Sequence, residues 1–203
     1  TGAVACNITA VGTYNVTVSN ATGCTTACSR ILTVNANPTA GAGPDQTLCQ
    51  TPPSGPTAFT LAGTGSNGTF AWTQIGSTGT ASASITTPTS LTSGVSVSGI
   101  GTVTLRLTTT SDASPSCGTA TDNVVLTVNA NPTANAGPDE AKCQTAPSGP
   151  TAFTLAGTGA NGTFAWTQIG STGTASASIT TPTSLTSGVS VSGIGTVTLR
   201  LTT

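Results

Sequence analysis

From Pro38 the chain reads PTAGAGPDQTLCQTPPSGPTAFTLAGTG and continues to RLTT, and from Pro132, ninety-four positions later, it reads almost the same text again. Between 38–109 and 132–203 only Gly41/Asn135, Gln46/Glu140, Thr47/Ala141, Leu48/Lys142, Pro52/Ala146 and Ser66/Ala160 differ. A tandem repeat of this period constrains folding more than any other feature. Each unit must be a packing unit in its own right, and what one unit adopts its neighbour adopts too.

The repeat frame sets the domain boundaries. Residues 1–37, ending in SRILTVNAN, align with the end of a unit, 96–131, which ends in NVVLTVNAN. Thr203 corresponds to Thr109, in the middle of a unit. The chain therefore reads as the C-terminal part of one domain (1–37), a complete domain (38–131) and a third domain without its last strand or strands (132–203), as though taken from a longer array. The linkers Asn35-Ala36-Asn37-Pro38 and Asn129-Ala130-Asn131-Pro132 suit short, fairly stiff joints, because proline lacks a donor and holds its predecessor extended.

Within a unit the apolar residues alternate. TAFTLAG puts Phe59 and Leu61 on one face, GTFAWTQI does so with Phe70 and Trp72, and VSVSGIG with Val95 and Val97. Ile85 and Leu91 are the inward residues of the irregular stretch 85–94, and AGPDQTLC reads as a first extended edge ending at Cys49. The cleanest alternation is TVTLRLT, with Val103, Leu105 and Leu107 on one face, returned by a hairpin into VVLTV, where Val124, Leu126 and Val128 face inward. No stretch has helical spacing with a cap. Seven or so short strands with Gly and Pro turns predict an all-β chain of tandem immunoglobulin-like β-sandwiches.

Charge narrows the function. The chain has 4 Lys and Arg, 5 Asp and Glu and no His, so it cannot neutralise a phosphate backbone, and nucleic acid is not an expected partner. Its surface must instead be threonine, serine, glycine and asparagine, which gives little repulsion between copies and favours self-association. No apolar run approaches the length of a membrane span. Without histidine, a serine beside a base or a repeated carboxylate pair in one strand, no catalytic site is expected, and the chain is read as not an enzyme.

Six cysteines suggest disulfides and hence export to an oxidising compartment. The two cysteines of the complete unit, Cys49 and Cys117, are expected to pair. Cys143 would then find its partner beyond Thr203, and Cys24, one position from the place of Cys117, would find its partner before Thr1. Cys6 and Cys28, both of inward parity, are expected to bond to each other. A metal site on Cys24-x3-Cys28 has no histidine or second cysteine pair beside it.

The strings NPTANAGPDEAKCQ, FTLAGTG, GTFAWTQIG and SGIGTVTLRLT, with a Cys-bearing hairpin and VVLTVN, resemble the PKD-like immunoglobulin-type repeats of very large bacterial cell-surface and secreted proteins. The leading GTYNVTVSNATGC is similar to another branch of the same repeats. The resemblance covers nearly the whole chain and implies spacers, stalks and adhesive arrays at the cell surface.

Other candidate sites are weighed against structural readings. Trp72 and Trp166 could stack on sugars, but their alternation with Phe70 and Phe164 favours the core. Calcium at the linkers would use Asp45 and Asp139 and, with so few carboxylates, would lean on backbone carbonyls; no other cofactor is expected. Asp112 and Asp122 flank a hairpin and read as loop residues. Asn7, Asn15, Asn20, Asn67 and Asn161 begin N-x-[ST] sequons open to glycosylation in an exported chain. The expectation is a structural protein, an exported fibre, stalk or surface filament whose partners are its own copies or neighbouring repeats, with strands donated between chains as one mode of assembly. The alternative is an adhesin or carbohydrate-binding surface protein with a glycan ligand.

Overall fold

The computed structural model describes residues 12–19, 22 and 25–203 apart from 53, 146 and 147; for 12–19 and 25–30 only the backbone is considered. The chain divides into two compact units, Thr1–Asn129 and Ala130–Thr203. Among the described residues every regular element is a strand.

Unit 1 opens with a hairpin, β1 (Gly12–Ser19) antiparallel to β2 (Thr25–Leu32). The complete sandwich follows: β3 (Thr39–Gly41), β4 (Gln46–Cys49), β5 (Thr57–Ala62), β6 (Thr64–Ser66), β7 (Gly68–Ser77), β8 (Ser82–Ile85), β9 (Thr92–Ser98), β10 (Gly101–Ser111) and β11 (Thr119–Asn129). One sheet has the order β4-β11-β10-β7, and the facing sheet the order β5-β9-β8, with β3 paired to β6 beside them. A four-stranded sheet packed on a three-stranded one is the immunoglobulin-like β-sandwich.

The alternation read from the sequence is what closes this core. Val103, Leu105, Leu107, Val124 and Leu126 are fully buried, as are Leu61 and Val97 from the opposite sheet. Ile85, Leu91 and Phe70 pack against them from the margin. The β10–β11 hairpin sets Leu105 opposite Val124 and Val103 opposite Leu126, so both inward rows come from adjacent strands of one sheet. Gly63 makes room for the indole: a Cβ there would lie 2.8 Å from Trp72 Cζ2 and 2.9 Å from the Leu91 carbonyl.

Two details differ from the sequence expectation. The first edge, read as continuous from Ala42, is a strand only over Gln46–Cys49. It runs parallel to β11, Gln46 opposite Leu126 and Cys49 opposite Asn129, a pairing that no local pattern announces.

Unit 2 repeats the plan with β12 (Thr133–Asn135), β13 (Thr151–Ala156), β14 (Thr158–Ala160), β15 (Ala165–Ser171), β16 (Ser176–Ile179), β17 (Thr186–Ser192) and β18 (Val197–Thr202). The β13-β17-β16 sheet and the β15–β18 and β12–β14 pairs match their unit 1 counterparts. Among the described residues of this unit nothing covers the outer edge of β18, and residues 140–143, the counterpart of β4, form no strand.

Candidate functional sites

The functional candidates lie in three places: the two ends of the unit 1 sandwich, the open face of unit 2, and the indoles. Both linker-facing ends of unit 1 are built by β11. At its start the hairpin tip rests on the incoming linker, where Asn35 Nδ2 donates to the carbonyls of Ser114 and Pro115 at 3.4 and 3.5 Å. Cys117 Sγ lies 3.7 Å from the Asn35 carbonyl oxygen. At its finish Asn129 is the register partner of Cys49, and the Gln50 N–H donates to the Asn129 carbonyl at 2.8 Å.

This geometry overturns the expected Cys49–Cys117 bond. The two residues stand at opposite ends of β11, whose 11 residues span about 35 Å at roughly 3.3 Å each. A disulfide tolerates a Cα separation of no more than about 7 Å. Both thiols are free, Cys49 exposed and Cys117 half-buried, and Cys143 is free and exposed. Parity along a strand is legible from sequence, but which end of a sandwich a cysteine occupies is a property of topology. The Cys6–Cys28 pairing and the assignment of Cys24 lie outside the residues whose side chains are described.

The sparse carboxylates act as stitches. Asp122 Oδ2 accepts the Ala42 N–H at 2.7 Å, and Asp45 Oδ1 accepts the Val125 N–H at 2.7 Å, so each ties the first edge to β11. Hydrogen bonds from the backbone of Ala42 and then Asn123 hold the Asp122 carboxyl below the usual carboxylate range, with burial opposing weakly. Asp45 is thus committed to a structural bond, and no cluster of three or more metal-ligating side chains occurs among the described residues. Asp112 sits in the hairpin tip.

Asn67 and Asn161 were singled out only as sequons, yet each has a structural task. They adopt left-handed backbone, with φ of 59° and 61°, and their amides donate to the linker carbonyls of Asn37 at 2.9 Å and Asn131 at 3.1 Å. Asparagine tolerates that backbone better than other side-chain-bearing residues. The Asn-Gly pair in each repeat was the available signal, since it marks a tight turn between strands. Asn15 lies on β1, and Asn7 and Asn20 lie outside the described residues.

Both indoles are interior. Trp72 is 2% exposed and its Nε1 donates to the Ser90 carbonyl at 3.0 Å; Trp166 is 3% exposed and bonds the Leu185 carbonyl at 3.4 Å. Neither ring presents a face for sugar stacking.

On the uncovered side of unit 2 lies a cleft of about 700 Å³, lined in part by Phe153, Leu155, Trp166, Val189, Val197 and Leu199. Leu199 and Val197 are half-buried where their counterparts Leu105 and Val103 are completely buried. Lys142 reaches over this margin, pairing with Glu140 at 3.6 Å, donating to the Ala152 carbonyl at 2.9 Å and lying 4.8 Å from the Phe153 ring centre. Asp139, Glu140, Lys142 and Thr198 line it beside the apolar side chains, so the cleft is mixed in polarity. In unit 1 the equivalent faces are closed by β4 and β11.

No known protein family and no curated protein matches the chain. Solved structures do. It is similar to the PKD domain of human KIAA0319, with 17% identity over 53% of this chain and 91% of that one and a TM-score of 0.37. It is also similar to the I-band fragment I67–I69 of titin, with 15% identity over 91% of this chain and 65% of that one and a TM-score of 0.43. The I9–I11 tandem of titin shares 12% identity over 93% of this chain and 69% of that one, with a TM-score of 0.27. The fold class of unit 1 rests on its own two facing sheets.

Proposed function

We propose that this chain is a structural repeat region, part of an exported fibre, stalk or surface filament of bacterial type in which sandwich modules in series provide reach. The observation that carries the reading is the placement of the linkers in unit 1. The chain comes in against the hairpin tip at Asn35 and leaves beside Cys49 at Asn129, at opposite ends of the strand β11. Within unit 1 the two linkers are thus separated by roughly the length of that strand, about 35 Å. Exposed faces of threonine and serine keep such a length hydrated with little charge, and the buried indoles leave the adhesin alternative without a stacking surface.

Small-angle X-ray scattering combined with a glycan array tests the reading. An elongated particle whose tryptophan emission is blue-shifted and insensitive to glycans fits a structural module. Saturable glycan binding that quenches or shifts the indole emission would replace it with the adhesin.

A further inference from the structure

We propose that the outward face of the β4-β11-β10-β7 sheet binds an acidic sugar, a uronic acid residue of a polysaccharide, with Arg106 as the clamp on its carboxylate. Leu105 and Leu107 are fully buried, so the alternation of β10 turns Arg106 and its strand neighbours Thr104 and Thr108 to the opposite face. The register sets Arg106 between Asn123 of β11 and Thr73 of β7, in the interior of the face and not at its edge. Its Nε–H donates to Asn123 Oδ1 at 3.1 Å, which fixes the plane of the guanidinium. The terminal amino groups have no partner among the described residues. They are the donors that a planar carboxylate engages side by side.

Charge selects the ligand. Arg106 is the only cationic residue in the strands of this sheet. Lys142 in unit 2 is paired with Glu140, whereas Arg106 pairs with no carboxylate among the described residues. Asp45 and Asp122, which stitch the first edge to β11, are spent on the N–H groups of Val125 and Ala42. A lone guanidinium suits one carboxylate at a time; a densely sulfated or phosphorylated polymer needs a cluster of cations that this face lacks. The surroundings suit the rest of a sugar. Exposed Thr73 and Thr121 and half-buried Thr104 and Thr108 bring hydroxyls to the margin of the guanidinium. On the β7 side the register partners of Thr108 and Thr104 are Ala71 and Gly76, which keep the relief low, and a Cβ added at Gly76 would meet nothing within 4 Å. The Trp72 ring is buried on the other face, so recognition here is ionic and hydroxyl-based, without stacking. The site adds a recognition task to the spacer reading and does not depend on it.

The test measures binding of the full chain to biosensor surfaces carrying polygalacturonate, its methyl ester or dextran sulfate. The expected result is saturable binding to polygalacturonate that weakens as salt is raised, is lost on the uncharged ester and leaves the indole emission unchanged. Arg106→Gln should weaken it by roughly tenfold or more, and Arg106→Lys by less, since lysine keeps the charge and loses the fork. Emission from Trp72 checks that the variants fold. Thr73→Glu, at an exposed position, sets an internal carboxylate opposite the clamp and should also abolish binding. Ser96→Glu, exposed on the facing sheet, adds the same charge and should leave binding in place. Binding that survives Arg106→Gln or Thr73→Glu, that falls equally with Ser96→Glu, that persists on the methyl ester or is as strong on dextran sulfate overturns the site, and so does no binding to polygalacturonate at all.

Discussion

Leu105 and Leu199 occupy the same place in two copies of one sequence, but Leu105 is fully buried on a strand flanked by β11, and Leu199 is half-buried at an open cleft. Truncating each to alanine should therefore have unequal effects. At Leu105 the loss combines transfer of a whole buried side chain with a cavity that close-packed neighbours cannot fill, about 3 kcal/mol for such a site. At Leu199 only part of the side chain leaves water on folding and the vacated space opens to solvent, so the cost is about 1 kcal/mol. The difference of about 2 kcal/mol corresponds to roughly thirty-fold in the unfolding equilibrium. Urea titration reads it directly. In a Trp166→Phe background the remaining indole reports on unit 1, and in a Trp72→Phe background it reports on unit 2. With a slope of about 1 kcal/mol per molar urea, Leu105→Ala should lower the unit 1 midpoint by about 3 M, or abolish folding of that unit, and Leu199→Ala the unit 2 midpoint by about 1 M. Equal shifts, or a larger one at Leu199, would refute the claim that the β11 strand seals the core.

Three further outcomes are expected. The Asp122 carboxylate has a lowered pKa when folded, so its contribution is present above its unfolded value near 3.8 and is lost as pH falls through the folded value; Asp122→Asn should flatten the fall in unit 1 stability between pH 5 and pH 2, about the range in which such carboxylates titrate, and an unchanged acid slope in urea titrations would contradict this. Asn67→Ala should destabilise unit 1 by about 1–2 kcal/mol, through left-handed strain and loss of the bond to Asn37, while Asn67→Gly costs less because only the bond is lost; thermal melts that rank the two the other way would count against it. Thr109 Oγ1 is buried with no hydrogen-bond partner, so Thr109→Val should raise stability by about 1 kcal/mol by removing an uncompensated hydroxyl of similar shape; calorimetry showing destabilisation would mean that the hydroxyl is satisfied.

The core was readable because alternation is local: Val103, Leu105 and Leu107 announce an inward row in seven residues, and the structure buries all three completely. The indoles were readable for the same reason, through their spacing from Phe70 and Phe164. The cysteines were not, because strand parity says which sheet face a side chain occupies and nothing about which end of the sandwich it reaches. The parallel contact of Gln46–Cys49 with β11 joins segments some eighty residues apart and leaves no periodic trace. Asn67 and Asn161 matched a modification motif, and that match obscured the turn geometry for which an Asn-Gly pair is equally suited.

The direction of β4 has a mechanical consequence. The chain runs from Thr39 at the incoming end through Gln46–Cys49 toward the outgoing end, alongside β11 and in the same sense. Tension applied through the two linkers draws β4 backward and β11 forward, so the rungs between Gln46–Cys49 and Leu126–Asn129 are loaded in shear and must fail together, whereas a hairpin pulled at its open end would peel one rung at a time. A module wired this way resists stretching at the seam where the force enters and leaves.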